Sequence, residues 1–216
     1  MKEGIDIIDN YRDLTIGLYM DILTINADNS LEEIDRQVKT IALLAGMSED
    51  EVLDLPIPEY KALSLRASFL ESPATDLTSR IAKTYRVGAF TLIPTTDIRK
   101  LTTAQYIDFQ SFHSQGMDSH LPEILSCLLI PEGKHYNAGY DILEVQKAIR
   151  ENLSVADAVG LYAFFLTSSG KSLRDILTFC KAEATKVKDR KERERILKSL
   201  KEQENRLEKS GVGWLL

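Results

Sequence analysis

Apolar residues recur at every third or fourth position along much of this sequence, which is the spacing that places them on one face of an α-helix. The clearest stripe runs from Ile34 to Ala45 and predicts a helix that Ser30 caps and Gly46 ends. The same periodicity returns after each turn signal. The pattern therefore predicts a chain built mainly of helices.

Two prolines divide the stretch that follows this first helix. Ser48 and Glu51 have the spacing of a capping box and predict a short helix, which Pro56 and Pro58 end. Residues 59–70 then predict a helix with one apolar side, made of Tyr60, Leu63, Ala67 and Leu70. Later helices are predicted at residues 103–110, 121–129, 142–151, 155–166 and, as a long charged helix, 172–209.

A β-hairpin is predicted near the middle of the chain. Residues 84–87 and 90–93 are short β-prone runs, and Gly88-Ala89 between them has the length of a two-residue turn. Residues 4–8 predict a further strand, because they precede their own helix as the hairpin precedes a later one. We therefore expect a small sheet of two to four strands.

The two halves of the chain share a weak internal repeat. Residues 14–21 and 101–108 both read Leu-Thr-x-x-x-Tyr-x-Asp, at an offset of 87 (101 − 14), and three shorter matches follow at offsets that rise to 96 (165 − 69). In both copies the threonine is placed to cap a helix. The repeat predicts two similar helical units in tandem.

The predicted fold is therefore mainly α. Its two helical units are joined by a small β-hairpin or short sheet and are followed by a long charged C-terminal helix. The predicted limits are residues 1–73 for the first unit, 74–100 for the hairpin linker, 101–171 for the second unit, and 172–216 for the charged helix and apolar tail.

Composition and charge narrow the class of protein. With 44% apolar and 28% charged residues and a formal charge of −6, the chain has the composition of a globular protein and lacks the basic excess of a nucleic-acid-binding one. No stretch approaches the roughly 18 apolar residues of a membrane helix, and residues 1–6 lack a signal-peptide pattern. Cys127 and Cys180 are too few for a disulfide framework. We expect a cytoplasmic protein with reduced thiols.

The C-terminal segment is the predicted partner-binding region. Residues 181–209 hold eleven Lys or Arg against seven Asp or Glu, so this segment carries +4 and the remainder −10. Two interpretations are open: a solvated surface helix, or a helix that binds a partner or a second copy. The tail that follows either folds back on its own core or docks into another subunit. Under the binding interpretation the contact residues are Ile196, Leu200, Leu207, Trp214, Leu215 and Leu216.

The sequence predicts no catalytic, cofactor or metal site. His113, His120 and His135 are spaced too widely for the i, i+4 pair of a helical zinc site, and no nucleophile-elbow pattern is present. Residues 131–140 contain Gly, Asn and two Tyr, a composition typical of either a solvated turn or a binding loop. We therefore predict a non-enzymatic protein, while a small enzyme with its site near this loop and His113 or His120 remains an alternative.

Several runs together resemble uncharacterised proteins of tailed phages that infect gut Bacteroidetes, including crAss-like phages, which are similar in layout to phage tail assembly chaperones. The resemblance covers roughly residues 10–180 and is carried by residues 14–21 (LTIGLYMD), 48–56 (SEDEVLDLP), 101–108 (LTTAQYID), 129–133 (LIPEG) and 153–158 (LSVADA). It supplies no catalytic residues.

This resemblance implies a non-catalytic protein made in the host cytoplasm, which coats a tape measure or tail protein during virion assembly. A homo-oligomer is compatible with that role. The alternative is a structural component of the virion, such as a head or tail connector subunit that contacts the portal. The duplicated appearance and the long charged helix distinguish this chain from the smaller tail chaperones.

Overall fold

The structure is a computed structural model that describes residues 5–72, 81–97 and 100–165, together with Lys198 and Lys201. Met1–Thr95 and Thr102–Leu161 cluster as one compact unit, which we call the body, and Thr96–Leu101 and Tyr162–Leu216 cluster as a second. The predicted domain limits at residues 73, 100 and 171 remain predictions. The predicted long helix at residues 172–209 lies outside the described residues except at Lys198 and Lys201.

The described chain is mostly helical with one small antiparallel sheet, so the predicted mainly α class is confirmed. The first four helices are α1 (Ile16–Ala27), α2 (Glu33–Ala45), α3 (Glu49–Leu53) and α4 (Ile57–Ala67), and a 3-10 turn, Ser68–Glu71, follows α4. The remaining elements are β1 (Tyr85–Val87), β2 (Phe90–Pro94), α5 (Thr103–Gln115), α6 (Met117–Ser126), β3 (Leu129–Pro131) and α7 (Ile142–Asn152). Residues 155–165 are also helical, and we label them α8.

Local capping sets most helix limits. Thr15 Oγ1 accepts from the Leu18 amide at 3.4 Å, and Thr102 begins α5 with a full capping box. The predicted box at the start of α3 is also present. Gly46 ends α2 in the left-handed conformation (φ 63°), which glycine adopts without a Cβ clash.

The predicted Ser30 cap is wrong. Glu32 stands at the N-cap of α2, while the Ser30 hydroxyl donates to Asp28 Oδ1 at 2.6 Å. The same carboxylate oxygen accepts the Ser30 amide at 2.8 Å. The amide and hydroxyl of Ser30 are therefore used in an Asx-type turn with Asp28, and the serine does not cap the helix.

The sheet has the order β1-β2-β3. The hairpin is confirmed, with Tyr85 opposite Leu92 and Val87 opposite Phe90. The strand predicted at residues 4–8 is wrong for its described part, residues 5–8, where the Ile8 amide donates to Leu44 O at 3.1 Å. The third strand is instead β3, which pairs Leu129 with Pro94 and shortens the helix predicted at residues 121–129.

Within the described residues, two hydrophobic clusters lie in the body. One is centred on α1, α2 and α4, and the other on the sheet, α6 and α7. Helix α1 serves both, because Ile22 belongs to the first and Ile16 to the second; in α8, Val155 and Ala158 divide in the same way. The two cores are thus joined by shared helices, and the repeat itself remains a prediction.

Candidate functional site

Helix α4 positions the candidate site because one of its sides is fixed in the first core. Leu63 is buried, and Tyr60 and Ala67 pack against the same cluster, as predicted for this helix. The Tyr60 hydroxyl donates to Gln37 Oε1 on α2 at 3.3 Å. The opposite side of α4 therefore faces away from the first core.

Arg66 ties α4 to the N-terminal segment of the described chain. Its Nη2 donates to Ile7 O at 2.9 Å, and its Nη1 donates to Ile5 O at 3.2 Å. The same guanidinium forms an ion pair with Asp9 at 2.9 Å. The pKa of Asp9 lies below its ordinary value, first because the Asn10 amide donates to it and then because of Arg66.

Three large apolar side chains face water from α3 and α4. Leu53 is 66% exposed, Ile57 is 70% exposed and Leu65 is 75% exposed. Ile57 and Leu65 lie eight positions apart in α4, and Lys61 lies midway between them. Ile57, Lys61 and Leu65 therefore share one face of α4. We call Leu53, Ile57 and Leu65 the α3–α4 apolar surface.

Carboxylates surround the α3 end of this surface. Glu49 and Asp50 lie four and three positions before Leu53 in the same helix, and Asp54 follows it. All three are exposed, and Glu49 pairs with Lys39 at 2.6 Å. The surface thus combines apolar side chains with negative charge.

Two open grooves lie beside α2. One, of about 370 Å³, separates α2 from the end of α4, and the buried Ser64 Oγ in its lining has no hydrogen-bond partner among the described residues. The other, of about 500 Å³, lies between α1, α2 and α3 and has Leu43 and Met47 in its lining. The described lining of neither groove includes a histidine or a cysteine.

The loop of residues 131–140 is anchored on a small polar cluster at α5 and α6. The Tyr136 hydroxyl donates to Asp108 Oδ2 at 2.8 Å, and its oxygen lies 3.6 Å from Cys127 Sγ. Cys127 is fully buried, and its thiol contacts Glu123 O at 3.4 Å. The buried Gln105 side chain donates to Cys127 O at 3.0 Å.

Burial extends the pH range over which the thiol and hydroxyl of this cluster stay protonated. Burial raises the pKa of the Cys127 thiol to about 11, and burial also raises the pKa of Tyr136, whose hydroxyl is held between the thiol and Asp108. Both groups are therefore protonated at neutral pH. A protonated, buried thiol is a poor nucleophile. The contacts of this cluster instead hold the loop against α5 and α6.

The three histidines occupy separate places. His113 stacks on Phe109 with ring centroids 5.7 Å apart, and the His120 ring lies 5.9 Å from that of Phe112. His135 is exposed and forms a β-bridge with Ala138. Within the residues that the structure describes, no group of three or more His, Cys, Asp or Glu side chains is arranged to hold a metal ion.

The sequence placed partner binding elsewhere. The predicted contact residues all lie outside the described part of the chain: Ile196, Leu200, Leu207, Trp214, Leu215 and Leu216. The α3–α4 apolar surface was not predicted. A signal for it does exist, because Ile57 and Leu65 are apolar residues that fall outside the inward stripe of α4.

No family model, no curated protein and no solved structure matches this chain. Within the described residues, none of the helices is both long enough and apolar enough to cross a membrane.

Proposed function

We propose that this protein is a non-catalytic assembly protein that binds a client protein through the α3–α4 apolar surface. It would act in the manner of phage tail assembly chaperones, to which the tailed-phage proteins that its sequence resembles are similar in layout. The client in this proposal is a tape measure or tail protein, bound in the host cytoplasm before the tail assembles.

The observation that carries the proposal is the exposure of Leu53, Ile57 and Leu65 on two helices that each pack against α2. Fully burying one such side chain contributes roughly 1.5–3 kcal/mol, so a client that covers all three gains a substantial part of its binding free energy there. Solitary exposed apolar residues are common on protein surfaces, whereas here two lie on one face of α4 and a third stands four residues before them in the chain.

The chemistry of the loop at residues 131–140 favours a non-catalytic role for the protein. The half-buried Tyr136 of the loop and the buried Cys127 beside it are protonated and in contact with neighbours that restrain them. In contrast, the apolar groups of α3 and α4 face solvent and are available to a partner.

The proposal is tested by quantitative pull-down from phage-infected host cells, with partners identified and counted by mass spectrometry. The bait is the full chain, compared with a Leu53→Ser, Ile57→Ser, Leu65→Ser triple variant. We expect the wild type to recover a tape measure or tail protein and the triple variant to recover about tenfold less, corresponding to about 1.4 kcal/mol or more.

Leu143→Ser is the matched control, because Leu143 is 67% exposed on α7, outside the proposed surface. It should recover the client as the wild type does, and circular dichroism should show that both variants are folded. Equal recovery by the triple variant contradicts the assigned surface. Recovery of portal or connector proteins in fixed ratios, or of no phage protein, contradicts the chaperone role.

A further inference from the structure

We infer that the α3–α4 apolar surface selects a basic amphipathic helix, one whose apolar stripe is flanked by Lys or Arg side chains. The inference rests on the proposed function and specifies the chemistry of the client segment. It follows from charges that the fold leaves without partners beside the apolar side chains.

The carboxylates of α3 divide into two groups. Glu49 is paired with Lys39, and Glu51 closes the capping box by accepting from the Ser48 amide at 2.8 Å. Asp50 and Asp54 are exposed, and neither makes a salt bridge or a side-chain hydrogen bond within the described residues. Two uncompensated negative charges therefore flank Leu53.

Lys61 adds a second part to the charge pattern. It is exposed between Ile57 and Leu65 and makes no ion pair in the part of the chain that the structure describes. The segment from Ile57 to Leu65 spans about 12 Å, so a client helix crosses it with about two turns. A complementary client places cations near α3 and its apolar stripe across α4, with an acid facing Lys61 as an additional contact.

The same charges argue against two other occupants. In a twofold contact whose axis passes at α3, Asp50 and Asp54 of one chain would approach the same carboxylates of the other, and the sedimentation measurement described below tests the remaining twofold arrangements. An anionic membrane would also be repelled by these groups. A cationic helix instead neutralises them while it covers Leu53, which favours both association rate and specificity.

The test uses two synthetic helical peptides of about 18 residues, a length sufficient for appreciable helix content in such sequences. One has a leucine stripe flanked by lysine, and the other has the same stripe flanked by glutamate. Their binding to the full-length protein is measured by fluorescence anisotropy. We expect the Leu/Lys peptide to bind at least about tenfold more tightly than the Leu/Glu peptide, and to weaken as salt rises.

Charge reversal at the surface separates this site from general attraction to an acidic protein. Asp50→Lys with Asp54→Lys should abolish the preference for the Leu/Lys peptide. Glu132→Lys with Glu144→Lys makes the same change in net charge at exposed positions elsewhere and should retain most of it. The Leu53→Ser, Ile57→Ser, Leu65→Ser variant should weaken binding of the Leu/Lys peptide.

Three results would overturn the inference. Equal binding of both peptides would show that the surface does not select basic segments. A preference for the Leu/Lys peptide that survives charge reversal at Asp50 and Asp54 would show that the peptide binds at another part of the protein. A change in sedimentation mass on the triple serine substitution would show that a second copy covers the surface. The pull-down reports the proposed function separately, because it scores the identity of the natural client and not the charge of a peptide.

Discussion

The α3–α4 segment and the loop of residues 131–140 use their side chains in opposite ways. In the loop, Tyr136 is in contact with Asp108 and Cys127, and the Tyr140 hydroxyl accepts from the Asn137 amide at 3.4 Å. In α3 and α4, Leu53 and Leu65 face water. The loop uses its polar groups in contacts with α5, with Cys127 and within itself, whereas the helices expose apolar side chains to solvent.

This difference is the reason for proposing α3 and α4, and not the loop, as the binding surface. Gly, Asn and Tyr give the loop the composition of a binding site, but its aromatic hydroxyls are used in holding the loop in place. An ordinary amphipathic helix instead presents apolar area that water solvates poorly. A group that already has its partner in the fold contributes little to a new contact, so the candidate site is the less polar of the two regions.

The largest expected effect comes from the base of the loop. Leu129→Ala should lower the free energy of unfolding by about 3 kcal/mol, because Leu129 is fully buried in β3 and its removal leaves a cavity. Urea denaturation followed by circular dichroism measures the change. A loss below about 1 kcal/mol would contradict the full burial of Leu129 in the second core.

The second prediction concerns the pH dependence of stability. The folded pKa of Cys127 is raised from 9.0 to about 11 by burial, so between these values the unfolded thiol ionises while the folded thiol stays protonated. The unfolded state then binds fewer protons, and stability falls as pH rises. From pH 9 to pH 11 the wild type should lose about 2 kcal/mol more than Cys127→Ala. Parallel stability curves above pH 9 would contradict this prediction.

A smaller effect is expected from removal of one hydroxyl in the loop. Tyr136→Phe should cost about 1–2 kcal/mol of folding stability, because it removes the 2.8 Å bond to the half-buried Asp108. Tyr140→Phe is the matched control, since its hydroxyl accepts only a 3.4 Å bond, and it should cost less. In a double-mutant cycle with Asp108→Ala, strictly additive losses would show that the two side chains are not coupled.

The features that sequence predicted well depend on residues within a few positions of one another. The threonine caps at Thr15 and Thr102, the Ser48–Glu51 box and the Gly46 helix end are all of this kind. Their side chains bond to amides in the next turn, so no distant contact is required. The hairpin turn was predictable for the same reason.

The errors arose where competing contacts decide the outcome. Leu129 pairs with Pro94, a residue far away in sequence, and a short apolar run is compatible with either a helix or a strand. Ser30 donates its hydroxyl and its amide to Asp28, two residues before it, and no side chain of the described residues caps the start of α2. Leu63 and Leu65 are both leucines of α4, and their burial differs because α2 and the N-terminal segment cover only one side.

This last pair supplies the prediction with the smallest effect on stability. Leu65→Ala should change the free energy of unfolding by no more than about 0.5 kcal/mol, because the side chain is 75% exposed, whereas Leu63→Ala, at 4% exposure, should cost at least about 2 kcal/mol. Urea denaturation compares the two variants. Binding of the Leu/Lys peptide should show the reverse order, with Leu65→Ala weakening it while the protein remains fully folded. If Leu65→Ala proves as destabilising as Leu63→Ala, Leu65 contributes to a core. Leu65 would then no longer count as one of the three exposed contact residues of the α3–α4 apolar surface.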